Sequence, residues 1–201
     1  MAAILTNLRN TIIAGFVLAI VVILILKGGH GGGFSLDHSW WAFFFRWLHV
    51  LSGVMWIGLL WYFNFVQIPN MPNIEAAQRP AITKVIAPAA LFWFRWAAMS
   101  TIATGLILAW LNDYILNAIT FGLMSGGVTV SAIGIGMWLG TIMWFNVWFV
   151  IWPNQKIALG IEPADDAAKA AAGRTAMLFS RTNTMLSIPM LFCMVFAQNP
   201  F

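Results

Sequence analysis

The chain has 201 residues, 61% of them hydrophobic and only 8% charged. An average soluble domain carries about 25% charged residues, and a chain this short leaves too much of itself at its boundary to hide so much apolar surface, so a soluble fold is excluded and lipid is the expected solvent. The net charge of +4 comes from scattered Lys and Arg with no basic stripe, which excludes a nucleic-acid surface and leaves the cations to set orientation in a membrane.

A hydrocarbon core about 30 Å thick takes roughly 20 apolar residues as a helix. The first such segment runs from Thr11 to Leu26, with Arg9 before it and Lys27-Gly28-Gly29-His30 after it. No A-x-A cleavage pattern follows, so it reads as a retained anchor helix rather than a signal peptide. The glycine-rich stretch from Gly28 to His38 reads as an outer loop. Its glycines suit a flexible linker, while His30, Asp37 and His38 offer a weak metal site as the alternative.

The second segment is Trp40 to Ile68, and Pro69, Pro72 and Pro80 predict a loop after it. The third runs from about Pro88 to Leu111 and ends at Asn112-Asp113. Tyr114 to Phe121 is too short to span. It is either an interfacial turn or the start of a long helix bent at Gly126-Gly127. The fourth segment is about Val128 to Trp152, closed by Pro153. Ala164 to Ala172 reads as a short cytoplasmic helix leading into the fifth, about Met177 to Ala197. Asp165-Asp166 there read as a solvated face.

With the N-terminus inside, the inner segments hold Arg9, Arg79, Lys84, Lys156, Lys169, Arg174 and Arg181, and the outer ones only Lys27. The positive-inside rule then predicts an all-α polytopic bundle of about five spans, N-terminus cytoplasmic and C-terminus periplasmic, in a bacterial inner membrane. Residues 1–39 form the anchor helix and outer loop, and residues 40–201 a four-span domain. Phe201 is expected to end the protein.

Chemistry is concentrated in the second segment. His49 is the one histidine inside a span, and an ionisable residue there is a functional hypothesis by default. Neutral imidazole ligates haem iron or another metal. Gly53, one turn on, admits a porphyrin or a neighbouring helix, and Ser52 and Trp56 lie within two turns. The competing reading is a histidine that hydrogen-bonds the next helix, with Gly53 as a packing notch. Arg46 and Arg95 either snorkel to opposite interfaces or hold an anionic group such as a propionate, a quinone head or a lipid phosphate. The twelve tryptophans divide into interfacial Trp40, Trp41, Trp110 and Trp152 and deeper Trp56, Trp93, Trp96 and Trp144, which are either packing bulk or a wall around a flat cofactor. Asn64, Gln67, Asn146, Asn154 and Gln155 read as helix caps or interhelical contacts. Cys193 stands alone, so covalent c-type haem and thiolate zinc are excluded within this chain. No Ser-His-Asp set or carboxylate pair for acid–base work is recoverable.

The run Arg46-Trp47-Leu48-His49-Val50-x-x-Gly53-x-x-Trp56-Ile57-Gly58 with Tyr62-Phe63 resembles the membrane domain of PuuD-type urate hydroxylases. The likeness continues through Phe92-Trp93-Phe94-Arg95-Trp96, through Gly140 to Lys156 (GTIMWFNVWFVIWPNQK), which is its most specific part, and through Ser180 to Pro189. The resemblance covers about residues 40–200. It implies a multi-helix inner-membrane domain, often fused to a C-terminal cytochrome c domain, linked to urate oxidation with electrons passed to the respiratory chain. His49 is the family histidine that carries over. Residues 133–138 and 181–183 lack histidines that the family often has there, so a two-histidine haem site does not carry over.

Two functions follow. One is an accessory or structural subunit packed among lipids and other membrane subunits of an energy-transducing complex, respiratory or photosynthetic. The other is a redox protein holding one haem b through His49, with Arg46, Gly53, Trp56 and Arg95 around it, and passing electrons to a separate cytochrome c. The redox reading predicts a porphyrin-sized cavity at His49. The accessory reading predicts a satisfied histidine and no cavity.

Overall fold

A computed structural model describes residues 2–29, 35–123 and 127–200. They are helical throughout their ordered elements, with no strand among them. The chain forms two compact units, Met1–Trp41 and Ala42–Phe201.

The first unit holds a short turn, Ala2–Leu5, and helix α1, Leu8–Gly29. Asn7 Oδ1 accepts from the Arg9 backbone N–H at 3.0 Å, a side-chain cap for an otherwise orphaned donor. None of the described α1 side chains is buried. Helix α2, His38–Trp61, begins where Asp37 Oδ1 accepts from the Trp40 N–H at 2.9 Å and from Ser39 Oγ at 2.7 Å.

The second unit holds the rest of α2 and four further helices. These are α3 (Ala87–Leu111), α4 (Ile115–Ile119), α5 (Val128–Phe145) and α6 (Asp166–Phe196). Three of the long helices carry a π-helical segment at one end. α2 continues through Tyr62–Gln67, Ile68–Asn70 and a 3₁₀ turn at Met71–Asn73. α3 is preceded by Arg79–Ala81 and Ile82–Ile86. α5 continues through Asn146–Ile151 into Trp152–Ala158.

The expectation that Pro69, Pro72 and Pro80 make a loop is therefore corrected, since only residues 74–78 lie outside helix there. The reason is visible in the register. Pro69, Pro88 and Pro153 each stand two residues beyond the end of a π-helical segment. A proline inside a helix donates no N–H and clashes with the carbonyl four residues back. Widening the preceding turn to i→i+5 bonding moves that carbonyl to another partner, and the helix passes through.

Four helices are long and apolar enough to cross a membrane: Leu8–Leu26, His38–Asn73, Arg79–Leu111 and Val128–Ala158. The helix expected as the fifth span is α6. Its length of 31 residues suffices, but it is more polar: Asp166, Lys169, Arg174 and Arg181 lie along it, and its inward face holds Ser180, Asn183 and Ser187, all buried. Asn183 accepts from Asn146 Nδ2 at 2.8 Å and donates to the Met143 carbonyl at 2.9 Å. Ser180 accepts from Asn64 Nδ2 at 2.8 Å, and Ser187 from the Trp61 indole at 3.0 Å. Interhelical hydrogen bonds of this kind are worth about 0.6–2 kcal/mol each in a membrane. They pin α6 to α5 and α2 around an apolar core of Trp56, Leu60, Phe94, Met143 and Val147. α6 starts at Asp165, whose side chain accepts from the Ala168 N–H at 2.7 Å. Asp165 is thus an exposed helix cap and Asp166 pairs with Lys169 at 3.6 Å, both on the solvated face expected of them.

The stretch after α3 is a compact turn. Asp113 and Phe121 adopt positive φ, at 55° and 56°, and α4 lies between them. It packs on α5 at Gly134, where any Cβ would collide with the Ala118 carbonyl oxygen. Trp138 donates to the Ile119 carbonyl at 3.1 Å and stacks on Phe121. Of the Gly126-Gly127 pair, Gly126 falls outside the described residues and Gly127 precedes α5.

Candidate functional site

α2 presents His49 to α3. The imidazole Nδ1 sits 2.9 Å from the Thr101 carbonyl oxygen and 3.3 Å from Thr104 Oγ1. A carbonyl only accepts, so Nδ1 carries the proton and donates it there. That fixes the tautomer. Nε2 is left with its lone pair and has no hydrogen-bond partner among the described residues. Thr101 Oγ1 and Thr104 Oγ1 are already committed, donating to the Ala97 and Ser100 carbonyls at 2.7 and 2.6 Å. Gly105 completes the seat. A Cβ at that position would lie 2.9 Å from His49 Cε1, so the ring lies against bare backbone.

Beside the imidazole is a half-open cavity of about 400 Å³, within the range of about 300–1,000 Å³ typical of cofactor and small-molecule sites. His49 and Trp56 line it from α2. Thr101, Ile102, Gly105 and Leu106 line it from α3. Gly136, Met137, Gly140 and Trp144 come from α5, and Met190 and Met194 from α6. A Cβ on Gly140 would meet nothing within 4 Å, so this wall is open to a flat molecule. The indole N–H groups of Trp56 and Trp144 are buried and have no hydrogen-bond partner among the described residues. An orphaned donor away from water costs about 1–3 kcal/mol, and these two belong to side chains that line the cavity from α2 and α5.

Of the residues expected from sequence, His49 and Trp56 meet at this cavity, and Arg46, Gly53 and Arg95 do not line it. Helical phase explains the split. At about 100° per residue, Trp56 lies about 20° to one side of His49, whereas Gly53 and Arg46 lie about 40° and 60° to the other. A Cβ at Gly53 would meet nothing within 4 Å, so Gly53 is no packing notch either. Arg46 is exposed and acts on Tyr114. Burial pushes the Tyr114 hydroxyl above its ordinary range, and the Arg46 charge opposes that rise. Arg95 lies over Trp152, 3.4 Å from guanidinium carbon to ring centroid, and 5.7 Å from Trp148, while its Nε donates to the Leu91 carbonyl at 3.2 Å. Ser52 bonds Ser100 at 2.8 Å across the α2–α3 contact.

Trp144, read from sequence as packing bulk or a wall around a flat cofactor, lines the cavity, whereas sequence reading missed Gly105, Met137, Gly140, Met190 and Met194 as wall residues. The alternative metal site in the glycine loop has no support among the described residues. Asp37 is engaged as a cap, and no group of three His, Cys, Asp or Glu side chains comes together. His30 lies outside the described residues.

Residues 123–201, which include α5 and α6, match the family described as urate oxidase N-terminal. Neither the curated proteins nor the solved structures contain a match to this chain.

Proposed function

We propose, on the premise that this multi-pass membrane protein is related to urate hydroxylases through residues 123–201, that it is a b-type haem redox protein. In this reading it lies in a bacterial inner membrane with its N-terminus cytoplasmic, as the charge bias supports, and hands electrons to a separate cytochrome c. The observation that carries the reading is the His49 seat: Nδ1 committed to a carbonyl and Nε2 unpartnered beside an apolar cavity with two orphaned indole donors.

The residues present fit the group. His49 Nε2 is a neutral imidazole donor with its tautomer fixed by the Thr101 carbonyl, the arrangement in which the second ring nitrogen of a metal ligand is held by an outer partner. Met137, Met190 and Met194 line the same cavity, and a methionine thioether there would supply haem iron with a second donor beside His49. The second histidine that the sequence lacks is then not required. Trp56 and Trp144 supply N–H donors for carboxylate or carbonyl oxygens. Gly105 and Gly140 leave room for a planar ring, and the apolar lining excludes water. When bound, haem b supplies a one-electron couple. The protein's part is to orient the imidazole, keep it neutral and set the polarity around it.

The test is a reduced-minus-oxidised absorption spectrum of the detergent-purified protein with pyridine haemochrome quantification. The expected result is a b-type signal near one haem per chain, lost in His49→Ala. A colourless protein that co-purifies with a larger complex sinks this reading and favours the second, an accessory subunit. The specific support for that second reading is α1, which is apolar and uncharged from Thr11 to Leu26.

A further inference from the structure

A second cavity lies toward the proline ends of α2, α3 and α5, sharing no lining residue with the first. Its volume is about 220 Å³. That is below the roughly 300–1,000 Å³ of larger ligand sites, so it has room for one substituted ring and not for a porphyrin. Phe63 and Phe94 form part of its wall, packed edge to face at 5.8 Å. Its origin is the set of widened turns. Phe63 and Gln67 come from the π-helical end of α2 and Ile151 from that of α5, and the void opens beside them. Such segments are frequent at functional sites.

Three polar groups meet there. Gln67 Oε1 is buried with no hydrogen-bond partner among the described residues. Ser180, itself buried, accepts from Asn64 Nδ2, and its hydroxyl hydrogen has no acceptor among the described residues. Gln155 adds a second terminal amide to the lining. No lining residue is charged.

We propose that this cavity is a binding site for the head group of a quinone or quinol. A lining without charge selects a neutral ligand, since an ion would be buried without a counter-charge. Terminal amides and a hydroxyl both donate and accept, so the same three residues serve a ring carbonyl or a ring hydroxyl. The Gln67 and Gln155 amides, by turning, offer an acceptor to a hydroxyl, and the Ser180 hydroxyl donates to a carbonyl. The aromatic wall suits a flat ring. Three of the four helices that bound the cavity, those containing α2, α3 and α5, are long and apolar enough to cross a membrane, where a lipid-soluble ligand is delivered. The assignment does not depend on haem at His49.

The experiment is equilibrium binding of ubiquinone-1 to the full chain in detergent, with wild type and Gln67→Leu compared. Removing an acceptor that has no partner leaves the fold intact, so Gln67→Leu is expected to melt no lower than wild type. Its His49-dependent spectrum, where present, is expected to be unchanged. One saturable site, weakened about tenfold or more in Gln67→Leu and not displaced by the oxygen-free ring durene, supports the assignment. Absence of saturable binding, equal binding to both proteins, or displacement by durene as readily as by quinone overturns it. A missing haem signal together with saturable quinone binding would reject the His49 reading and leave this one standing.

Discussion

The α5–α6 seam and the His49 cavity bury polar groups in the same bundle and treat them in opposite ways. At the seam, Asn183 uses both ends of its amide on Asn146 and the Met143 carbonyl, and Ser187 receives the Trp61 indole. At the cavity, Trp56 and Trp144 keep unpartnered indole N–H groups, and His49 keeps an unpartnered Nε2 beside a satisfied Nδ1. Low surroundings polarity makes both choices consequential. The seam is built to hold helices together. Among the described residues, the cavity leaves an acceptor and two indole donors of its lining unpaired, and Asn64 Oδ1 and the Trp148 indole are unpaired elsewhere in the bundle.

The largest expected effect falls on the cavity. His49→Ala is expected to abolish the b-type absorption while the protein still inserts and folds, read by haemochrome content and gel-filtration profile. A protein that loses its fold instead would place His49 with the seam. Gly134→Ala comes next. Its Cβ collides with the Ala118 carbonyl, and overpacking of this kind costs about 1–3 kcal/mol. The expected readout is a lower melting temperature with haem content per folded chain unchanged. Asn183→Ala leaves Asn146 Nδ2 without its acceptor and opens a hole, at a cost of about 1–3 kcal/mol. It too should lower the melting temperature without changing the spectrum, and a spectral change would erase the distinction between the two regions. Gly105→Ala does the reverse. Its Cβ must push the imidazole by a few tenths of an ångström, so a shifted haem band or weakened retention is expected with little change in melting. Trp144→Phe is the smallest. Removing an unpartnered donor leaves the ligand-free protein as stable as before or slightly more so, while the holo form loses retention modestly. Destabilisation of the ligand-free form would show that the indole N–H has a partner in the protein.

Most of the fold is legible in the sequence, because apolar length alone announces a membrane helix. His49 and Trp56 are legible too, as an ionisable residue in a span and an aromatic seven residues on. The far wall is not. Gly140 sits in a run that reads as packing, and the methionines of α5 and α6 look like ordinary bulk until the helices are assembled. Trp144 is legible only as one of two readings, packing bulk or a wall around a flat cofactor. Arg46 and Gly53 were grouped with His49 by their spacing of three and four residues, and that spacing does not resolve the 60° or so that separates the cavity side of α2 from its other side. The polar character of α6 has two origins: Ser180, Asn183 and Ser187 serve the seam, while Asp166, Arg174 and Arg181 are exposed.

The widened turns before Pro69, Pro88 and Pro153 have one more consequence. Each inserts the equivalent of one extra residue into a turn, which moves the phase of everything beyond it by about 100°. A helical wheel drawn from the first half of α2 or α5 therefore assigns the wrong side to the second half. Gln155 lies beyond one such turn, whereas Gln67 closes another and lies within about 20° of Trp56 and Leu60 even on an unshifted wheel. The prolines act as frame-shifts in three dimensions: they leave the helix continuous and change which letters it reads toward the centre.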